Sequence, residues 1–264
     1  MNNFTVQYNI DKSKIINKFK LHNHNGIEVF MFIDGDADYI VEGTVYHLEP
    51  YDIIILRPDE MHRAFRKSEA VFTRMVLNVN SDFFKSYNIT QYLKKFTQYE
   101  PGKNNKIPAE AVKQSGLYDC YMRIKKYSDN FKNLSLPVIG AVVCEMLCII
   151  STLDICSELA DSTSKVSAIV KYINNNFKNQ ITLNSISSTL FISKTHMCRI
   201  FKKATGYTIN SYINHKRLIY VSELCRKGEN IGMACIEAGF NSYANFYKTY
   251  VKETHTSPGK GLKI

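Results

Sequence analysis

The sequence predicts a two-domain α+β protein: an N-terminal β-barrel followed by helices, then an all-α domain with two helix-turn-helix units. Three observations predict it. Residues 27–80 are short apolar runs cut by turn residues, the pattern of antiparallel strands. Beyond Asp82 the apolar residues recur at three- and four-residue intervals, the spacing of helices. The charge then concentrates at the end: Lys165 to Ile264 holds 15 Lys/Arg against 4 Asp/Glu, a balance of +11, whereas residues 1–164 hold 19 against 20, a balance of −1. Within the basic stretch a shift of 49 residues superposes Phe191 on Phe240, Ser193 on Ser242, Arg199 on Lys248, Phe201 on Tyr250 and Thr205 on Thr254. A basic domain with a duplicated short helical unit implies two readers set along one duplex.

Bulk composition narrows the class. A chain of 264 residues is long enough for two cores, and 17 Tyr with 15 Phe supply bulky packing groups in the absence of Trp. No run of about 18 apolar residues occurs, so a membrane span is not expected. The opening MNNFTVQYNIDKSK lacks the apolar core of a secretory signal, and seven Cys without paired spacing read as reduced thiols. The cytoplasm is the expected compartment.

In the front domain IEVFMFI, YIVEGTVYHL, IIILRP and VFTRMVLNV alternate with DGD, EPYD and similar breaks, which predicts a small barrel or jelly roll over residues 1–80. Helices follow over 81–156. The segment from Leu136 to Glu158 is the most apolar, with Val138, Ala141, Val142, Glu145, Met146 and Ile149 at helical intervals. Being apolar on more than one face, it packs either wholly within a monomer or also against a second subunit as a dimerisation helix. Cys144 and Cys148 lie one turn apart on it, with Cys120 and Cys156 in the same helical region; they read as core residues or as a redox sensor. The small, polar stretch 157–164 is the expected linker, and 165–264 the nucleic-acid domain.

The row HNHNGIEVFMFIDG sets His22, His24, Glu28 and Gly35 in the spacing H-x-H-x3-E-x6-G, and PDEMH adds His62 four residues after Pro58. On these residues the stretch from about 20 to 80 resembles the cupin superfamily. The first motif is complete; in the second, Tyr51 stands where a glycine is usual. On a strand His22 and His24 would share a face. With Glu28 and His62 they make a three-nitrogen, one-oxygen set suited to Zn, Fe, Mn or Ni, and open positions would suit metal-dependent oxygenation. The competing reading is that His22, His24, Glu28 and His62 line a pocket for a small organic ligand, as in regulatory cupins, with no cofactor required. Some of the histidines could equally sit at the barrel rim.

In the back domain Thr182 is the expected N-cap of a helix with Leu183, Ile186 and Leu190 on its buried stripe, and FIS makes a tight break. The next helix, from about Ser193 to Ala204, buries Met197, Ile200 and Phe201, and Thr205-Gly206 ends it. A long helix from about Ile209 to Arg226 acts as a spacer. The second unit runs from Asn230 through a turn at Gly239, a core plug at Phe240 and a helix from about Ser242 to Glu253. The two helix-turn-helix units are thus 182–204 and 230–253.

RIFKKATG, SYINHKRL and IGMACIEAGFNSYANFYKTYVKETHTSP resemble the bipartite DNA-binding domain of AraC/XylS-type transcription regulators, over about Lys165 to Pro258. The barrel-first order fits that family too. The resemblance implies that each reading helix enters one of two successive major-groove segments. It places Lys194, Thr195, His196, Cys198 and Arg199 on the exposed positions of the first, and Tyr243, Ala244, Asn245, Tyr247 and Lys248 on those of the second. Arg199 suits guanine and Asn245 adenine. Ser193 and Ser242 suit phosphate contacts, and Lys202, Lys203 and Lys252 general charge attraction. Three places depart from the family pattern: Cys235 replaces an alanine, His255 a glycine, and Gly261-Leu262 stand where Tyr-Arg is common. The implied partners are double-stranded promoter DNA, RNA polymerase, a small-molecule effector and a second copy of the chain; no membrane and no catalytic residue is expected. Activation is the commoner mode in the family. The rival functions are a cupin-type metalloenzyme or metal sensor with a DNA-binding tail, and a constitutive regulator with a vestigial barrel.

Overall fold

Where the sequence alternates most tightly, the computed structural model places strands. It describes residues 3–14, 19, 22–130, 135–153 and 165–261, and the chain divides into two units, Met1–Ser162 and Thr163–Ile264. The first begins with β1 (Phe4–Asp11), β2 (Ile27–Asp34), β3 (Ala37–Val41), β4 (Thr44–His47), β5 (Ile53–Leu56), β6 (His62–Arg66) and β7 (Phe72–Val79). Helices α1 (Ser81–Ser86) and α2 (Thr90–Thr97), the two-residue β8 (Lys106–Ile107), and helices α3 (Ala109–Gln114), α4 (Leu117–Asn130) and α5 (Ser135–Thr152) complete it.

Two antiparallel sheets result, a five-stranded one in the order β1-β7-β2-β5-β8 and a three-stranded one in the order β4-β3-β6. Strand β2 is central and apolar on both faces because both faces are covered. Ile27, Val29 and Met31 join Ile53, Ile55, Met75 and Leu77 in a core shared with the helices. Phe30 and Phe32 point the other way, into a core shared with Ala37, Tyr39, Val41, Tyr46 and Ala64 of the small sheet. This alternation puts Glu28, on β2, and Arg74, on β7, on the inward face.

Glu42 and Gly43 both have positive φ, 47° and 79°, as a two-residue hairpin between β3 and β4 requires. Glu42 tolerates the strain because its buried carboxylate accepts a hydrogen bond from the Met61 backbone N–H at 2.7 Å. Tyr51, at the usual glycine position, does adopt the left-handed region, with φ 77°. Its N–H donates to Phe32 O at 2.7 Å and its ring stands edge-on to Tyr118.

Several expectations need correction. Strand β1 pairs with β7 along its whole length but is too polar, with Thr5, Gln7 and Asn9, to show as an apolar run. The buried stripe of α5 is Ile139, Val142, Val143, Met146, Leu147 and Ile150; Val138, Ala141 and Glu145 are exposed, and Glu145 accepts from Arg123 at 2.6 Å. A helix apolar on most sides does not reveal its buried face by periodicity. The linker at 157–164 and Cys156 fall outside the described residues. Burial pushes the Cys120 and Cys144 thiols up, away from the thiolate a redox sensor needs, which favours the core reading.

The second unit is α6 (Lys165–Asn176), α7 (Leu183–Leu190), α8 (Lys194–Thr205), α9 (Ile209–Arg226), α10 (Ile231–Glu237), α11 (Tyr243–Thr254) and the short α12 (Pro258–Gly261). Its repeat is real, with one change of register. The first helices start at caps 48 residues apart, Thr182 and Asn230, while the second start at Ser193 and Ser242, 49 apart. The second turn is therefore one residue longer. Phe191 does not superpose on Phe240: it is 95% exposed with φ 53° and matches Gly239, φ 89°, whereas Ile192 is the buried equivalent of Phe240. The backbone bonds agree, Ile192 N–H to Ser187 O and Phe240 N–H to Cys235 O, again 48 apart.

Candidate functional site

Two places bring the expected residues together, one in each unit. At one end of the space between the sheets, His22 and His62 form an isolated antiparallel bridge, with both backbone N–H groups bonded across it at 3.0 and 2.8 Å. The stretch around His22 and His24 is thus not a strand as expected; the bridge, not strand alternation, brings the rings near each other. The His62 ring centroid lies 4.4 Å from His22 and 4.9 Å from His24, and those two are 6.3 Å apart. The donor atoms of His24, Glu28 and His62 all lie within 4.8 Å of one another, while His22 is exposed and outside that group.

Hydrogen bonds fix which nitrogens face inward. His62 Nδ1 donates to Glu60 O at 2.8 Å and His24 Nδ1 to Gly26 O at 3.1 Å. Both Nε2 atoms are left for the cluster. His24 Nε2 meets Glu28 Oε2 at 3.1 Å, whereas the buried His62 Nε2 has no hydrogen-bond partner. Burial pulls the His62 pKa down to about 4 against the charge of Glu28, so its Nε2 carries a free lone pair at neutral pH. Burial is the largest influence and opposes charge on both His24 and Glu28, but their mutual hydrogen bond together with the attraction of the neighbouring opposite charges outweighs it, holding His24 above its ordinary value and Glu28 below. Tyr39 donates to the other oxygen of Glu28 at 3.4 Å. One imidazole lone pair, a second that His24 frees on giving up the proton it shares with Glu28, and the Glu28 carboxylate fit a divalent metal, and equally fit the polar end of an organic ligand. Beside His24, an open groove of about 260 Å³ is lined by Asn3 to Thr5, Asn25, Gly26 and Asn78 to Asn80.

Sequence reasoning missed Tyr39 and Arg74. The register Phe32 opposite Arg74 and Glu28 opposite Asn78 puts Arg74 on the same inward face as Glu28. Its signal was the alternation Phe72, Arg74, Val76, Asn78 on a strand whose other face, after Thr73, is the apolar Met75, Leu77 and Val79.

In the second unit, helices α8 and α11 are each 12 residues long and each ends on a left-handed residue, Gly206 (φ 81°) and His255 (φ 57°). Met197 and Phe201 anchor the first helix and Phe246 and Tyr250 the second, leaving one face of each outward. On those faces Ser193, Lys194, Thr195, Arg199, Lys202 and Lys203 are exposed, as are Ser242, Tyr243, Ala244, Asn245, Tyr247, Lys248 and Lys252; His196 and Cys198 are half-buried. Arg199 Nη2 donates to His196 Nδ1 at 3.1 Å, one helical turn away. Ser242 Oγ caps its helix by accepting from Asn245 N–H at 3.2 Å, while the Ser193 hydroxyl makes no such bond. Lys202, Lys203 and Lys252 sit in last turns, where they also complement the helix dipoles.

Between these helices α9 runs for 18 residues, about 27 Å at 1.5 Å per residue. Arg217 on it is buried and donates through Nε to Phe177 O at 2.7 Å and through Nη2 to Asn179 O at 2.8 Å. Gly239 presses on the same segment: a Cβ there would lie 2.5 Å from Lys178 O. The turn of the second reader is thus fastened to the connection between α6 and α7.

Comparison with known proteins agrees with this geometry. A family model described as an AraC-like ligand binding domain matches residues 8–117, and one described as a helix-turn-helix domain matches residues 186–263. The chain is 19% identical over 246 residues to the transcriptional activator RhaS of Citrobacter koseri, covering 91% of this chain and 86% of that one. It is 21% identical over 236 residues to the uncharacterized transcriptional regulator YbfI of Bacillus subtilis, covering 88% and 82%. A crystal structure of ToxT from Vibrio cholerae aligns over 99% of this chain and 97% of that one, at 14% identity and a TM-score of 0.40. Two matched models in the order barrel then paired readers place this chain in the AraC/XylS family of DNA-binding transcriptional regulators, with a ligand-binding domain ahead of two helix-turn-helix units.

Proposed function

We propose that the chain activates transcription from double-stranded promoter DNA when a small molecule occupies the space between the two sheets of its front unit. The observation that carries this reading is the matched pair α8 and α11, of equal length, with exposed polar faces and a rigid helix of about 27 Å between them. One helical turn of DNA advances about 34 Å, so two readers on such a spacer suit successive major-groove segments. Arg199 reads guanine and Asn245 adenine, with Lys248 beside Asn245 on the reading face of α11; Ser193 and Ser242 meet phosphates; Lys202, Lys203 and Lys252 supply salt-sensitive attraction. Residues 165–264 are the DNA-binding domain, and residues 1–156 bind effector and, through the exposed face of α5, a second copy. The protein works in the cytoplasm with RNA polymerase and is not an enzyme. Among the described residues no helix is long and apolar enough to cross a membrane.

The test is Arg199→Ala with Lys248→Ala in one chain. Specific promoter binding is expected to vanish while the circular dichroism spectrum stays that of wild type. Undiminished binding would remove these helices as the readers. A constitutive regulator with a vestigial barrel would instead bind promoter equally with and without the front unit's ligand.

A second reading of the barrel rests on the orphaned His62 Nε2. His24, Glu28 and His62 would hold a divalent ion there, which would lend the pocket a fixed positive charge and Lewis acidity. One equivalent of Zn²⁺ retained on dialysis, and lost in His62→Gln, would establish it. No retained ion would leave the three residues as ligand lining.

A further inference from the structure

Helices α8 and α11 match in length but not in surface chemistry. Helix α8 carries Lys194, Arg199, Lys202 and Lys203 and no acidic residue, a balance of +4; α11 carries Lys248 and Lys252 with Glu253, a balance of +1. At the shift of 49 that relates the two helices, Lys194, Thr195 and Cys198 of the first correspond to Tyr243, Ala244 and Tyr247 of the second. The second reader thus has apolar surface where the first has charge.

Tyr243 and Tyr247 lie one helical turn apart and are 46% and 42% exposed, with Ala244 exposed beside them. At about 100° per residue, Tyr243, Tyr247 and Ala244 are consecutive round the first two turns, and Lys248 and Asn245 follow. The ring centroids of Tyr243 and Tyr247 stand 6.3 Å apart, and Tyr243 leans on the buried Phe246 at 5.7 Å. Phe246 is in turn locked between Phe240 and Tyr250. The ledge is therefore braced by the core of the second reader, and tyrosines, with two torsions each, lose little entropy on contact.

Few groups in a major groove suit such a ledge. Guanine, adenine and cytosine present hydrogen-bonding atoms there, whereas thymine also presents a methyl group at C5. Burying that methyl against a ring is favourable, and a purine N7 or an amino group finds no partner on the ledge. The 6.3 Å between the rings is close to two base-pair steps of about 3.4 Å, so they suit thymines two steps apart. Opposite each thymine is an adenine, the base that Asn245 suits, so both kinds of contact agree on A·T pairs.

We propose that α11 selects an A·T-rich half-site through thymine methyl groups, which pack on Tyr243, Tyr247 and Ala244. This rests on the reading of α8 and α11 as the two DNA readers. It adds the base that the second reader selects and the atoms by which it does so.

The test uses the full chain and the duplexes it selects from a random pool. The half-site whose base preference survives in Arg199→Ala is that of α11, and thymine is expected to dominate it. Replacing those thymines with deoxyuridine removes the 5-methyl group and keeps every hydrogen-bonding atom. Each replacement should weaken binding about fourfold, which is about 0.8 kcal/mol, the worth of one buried carbon. Tyr243→Ala with Tyr247→Ala should erase most of the difference between thymine and deoxyuridine. Tyr243→Phe with Tyr247→Phe should keep it, since the rings remain and only the hydroxyls go. Equal affinity for thymine and deoxyuridine in the wild-type chain would overturn the proposal, whether or not the alanine variant folds. A difference that survives in the alanine variant, or vanishes in the phenylalanine variant, would remove the rings as its source. An α11 half-site without thymine would overturn the inference and leave the readers standing. No selected sequence at all would count against both readings.

Discussion

Gly239 offers a measurement in which two glycines with the same backbone strain differ in their surroundings. Gly239 (φ 89°) and Gly228 (φ 92°) both occupy the left-handed region, where any other residue costs about 1–2 kcal/mol. A Cβ at Gly228 would meet nothing within 4 Å. At Gly239 it would lie 2.5 Å from Lys178 O, 2.8 Å from Lys178 C and 2.9 Å from Phe177 O, all backbone. The obstruction is therefore not a side chain that can swing away. Relieving it requires the 177–178 backbone, which Arg217 also grips, to move by about 1 Å, and forced overpacking costs about 1–3 kcal/mol. Gly228→Ala should thus cost about 1–2 kcal/mol and Gly239→Ala about 2–5 kcal/mol. In a domain of this size each kcal/mol lowers the melting point by about 4–8 °C, so the two variants separate clearly by circular dichroism. Because the turn at Gly239 sets α11 against its own core, Gly239→Ala should also weaken promoter binding more than Gly228→Ala does. Equal melting points would refute the close approach that fixes the second reader.

Three further predictions follow from single residues. His255→Gly should stabilise the chain by about 1 kcal/mol, since an exposed histidine holds φ 57° where the first reader has Gly206; thermal unfolding reads it, and no gain would mean the cap is not left-handed. Arg217→Met should destabilise by roughly 2–3 kcal/mol in urea unfolding, because two backbone carbonyls, Phe177 O and Asn179 O, lose a charged donor. In chelator-treated protein, stability should fall as pH drops from 6.5 to about 4, by as much as about 3 kcal/mol, because the unfolded chain protonates His62 at 6.5 while the folded chain resists until about 4. His24, whose folded pKa is raised, works the other way: its contribution is complete below 6.5 and fades as pH rises through the folded value. His62→Gln should flatten the acid limb, and an unchanged limb would show that His62 is not held neutral.

Much of the second unit was legible in the sequence because its elements are local. Thr182 does cap α7, Gly206 does end α8, and Met197 and Phe201 are buried on one face. The repeat misleads at one point: a constant shift of 49 hides the extra residue in the second turn and pairs Phe191 with the core residue Phe240, although Phe191 occupies the left-handed turn position of Gly239. In the first unit the strands that bury both faces were visible and β1, exposed along much of its length, was not. The histidine cluster was found by spacing, yet what assembles it is the His22–His62 bridge between residues 40 apart, which no local pattern encodes. Arg74 became visible only once strand register set Phe32 opposite it and turned its side chain inward.

The central claim is that α8 and α11 read two adjacent major-groove segments. Methylation interference at guanine N7, with full-length protein on a promoter fragment, tests it most directly. Two interference zones about 10 bp apart are expected, one disappearing in Arg199→Ala and the other in Lys248→Ala. A single zone, or a variant of either helix that leaves both zones intact, would contradict it.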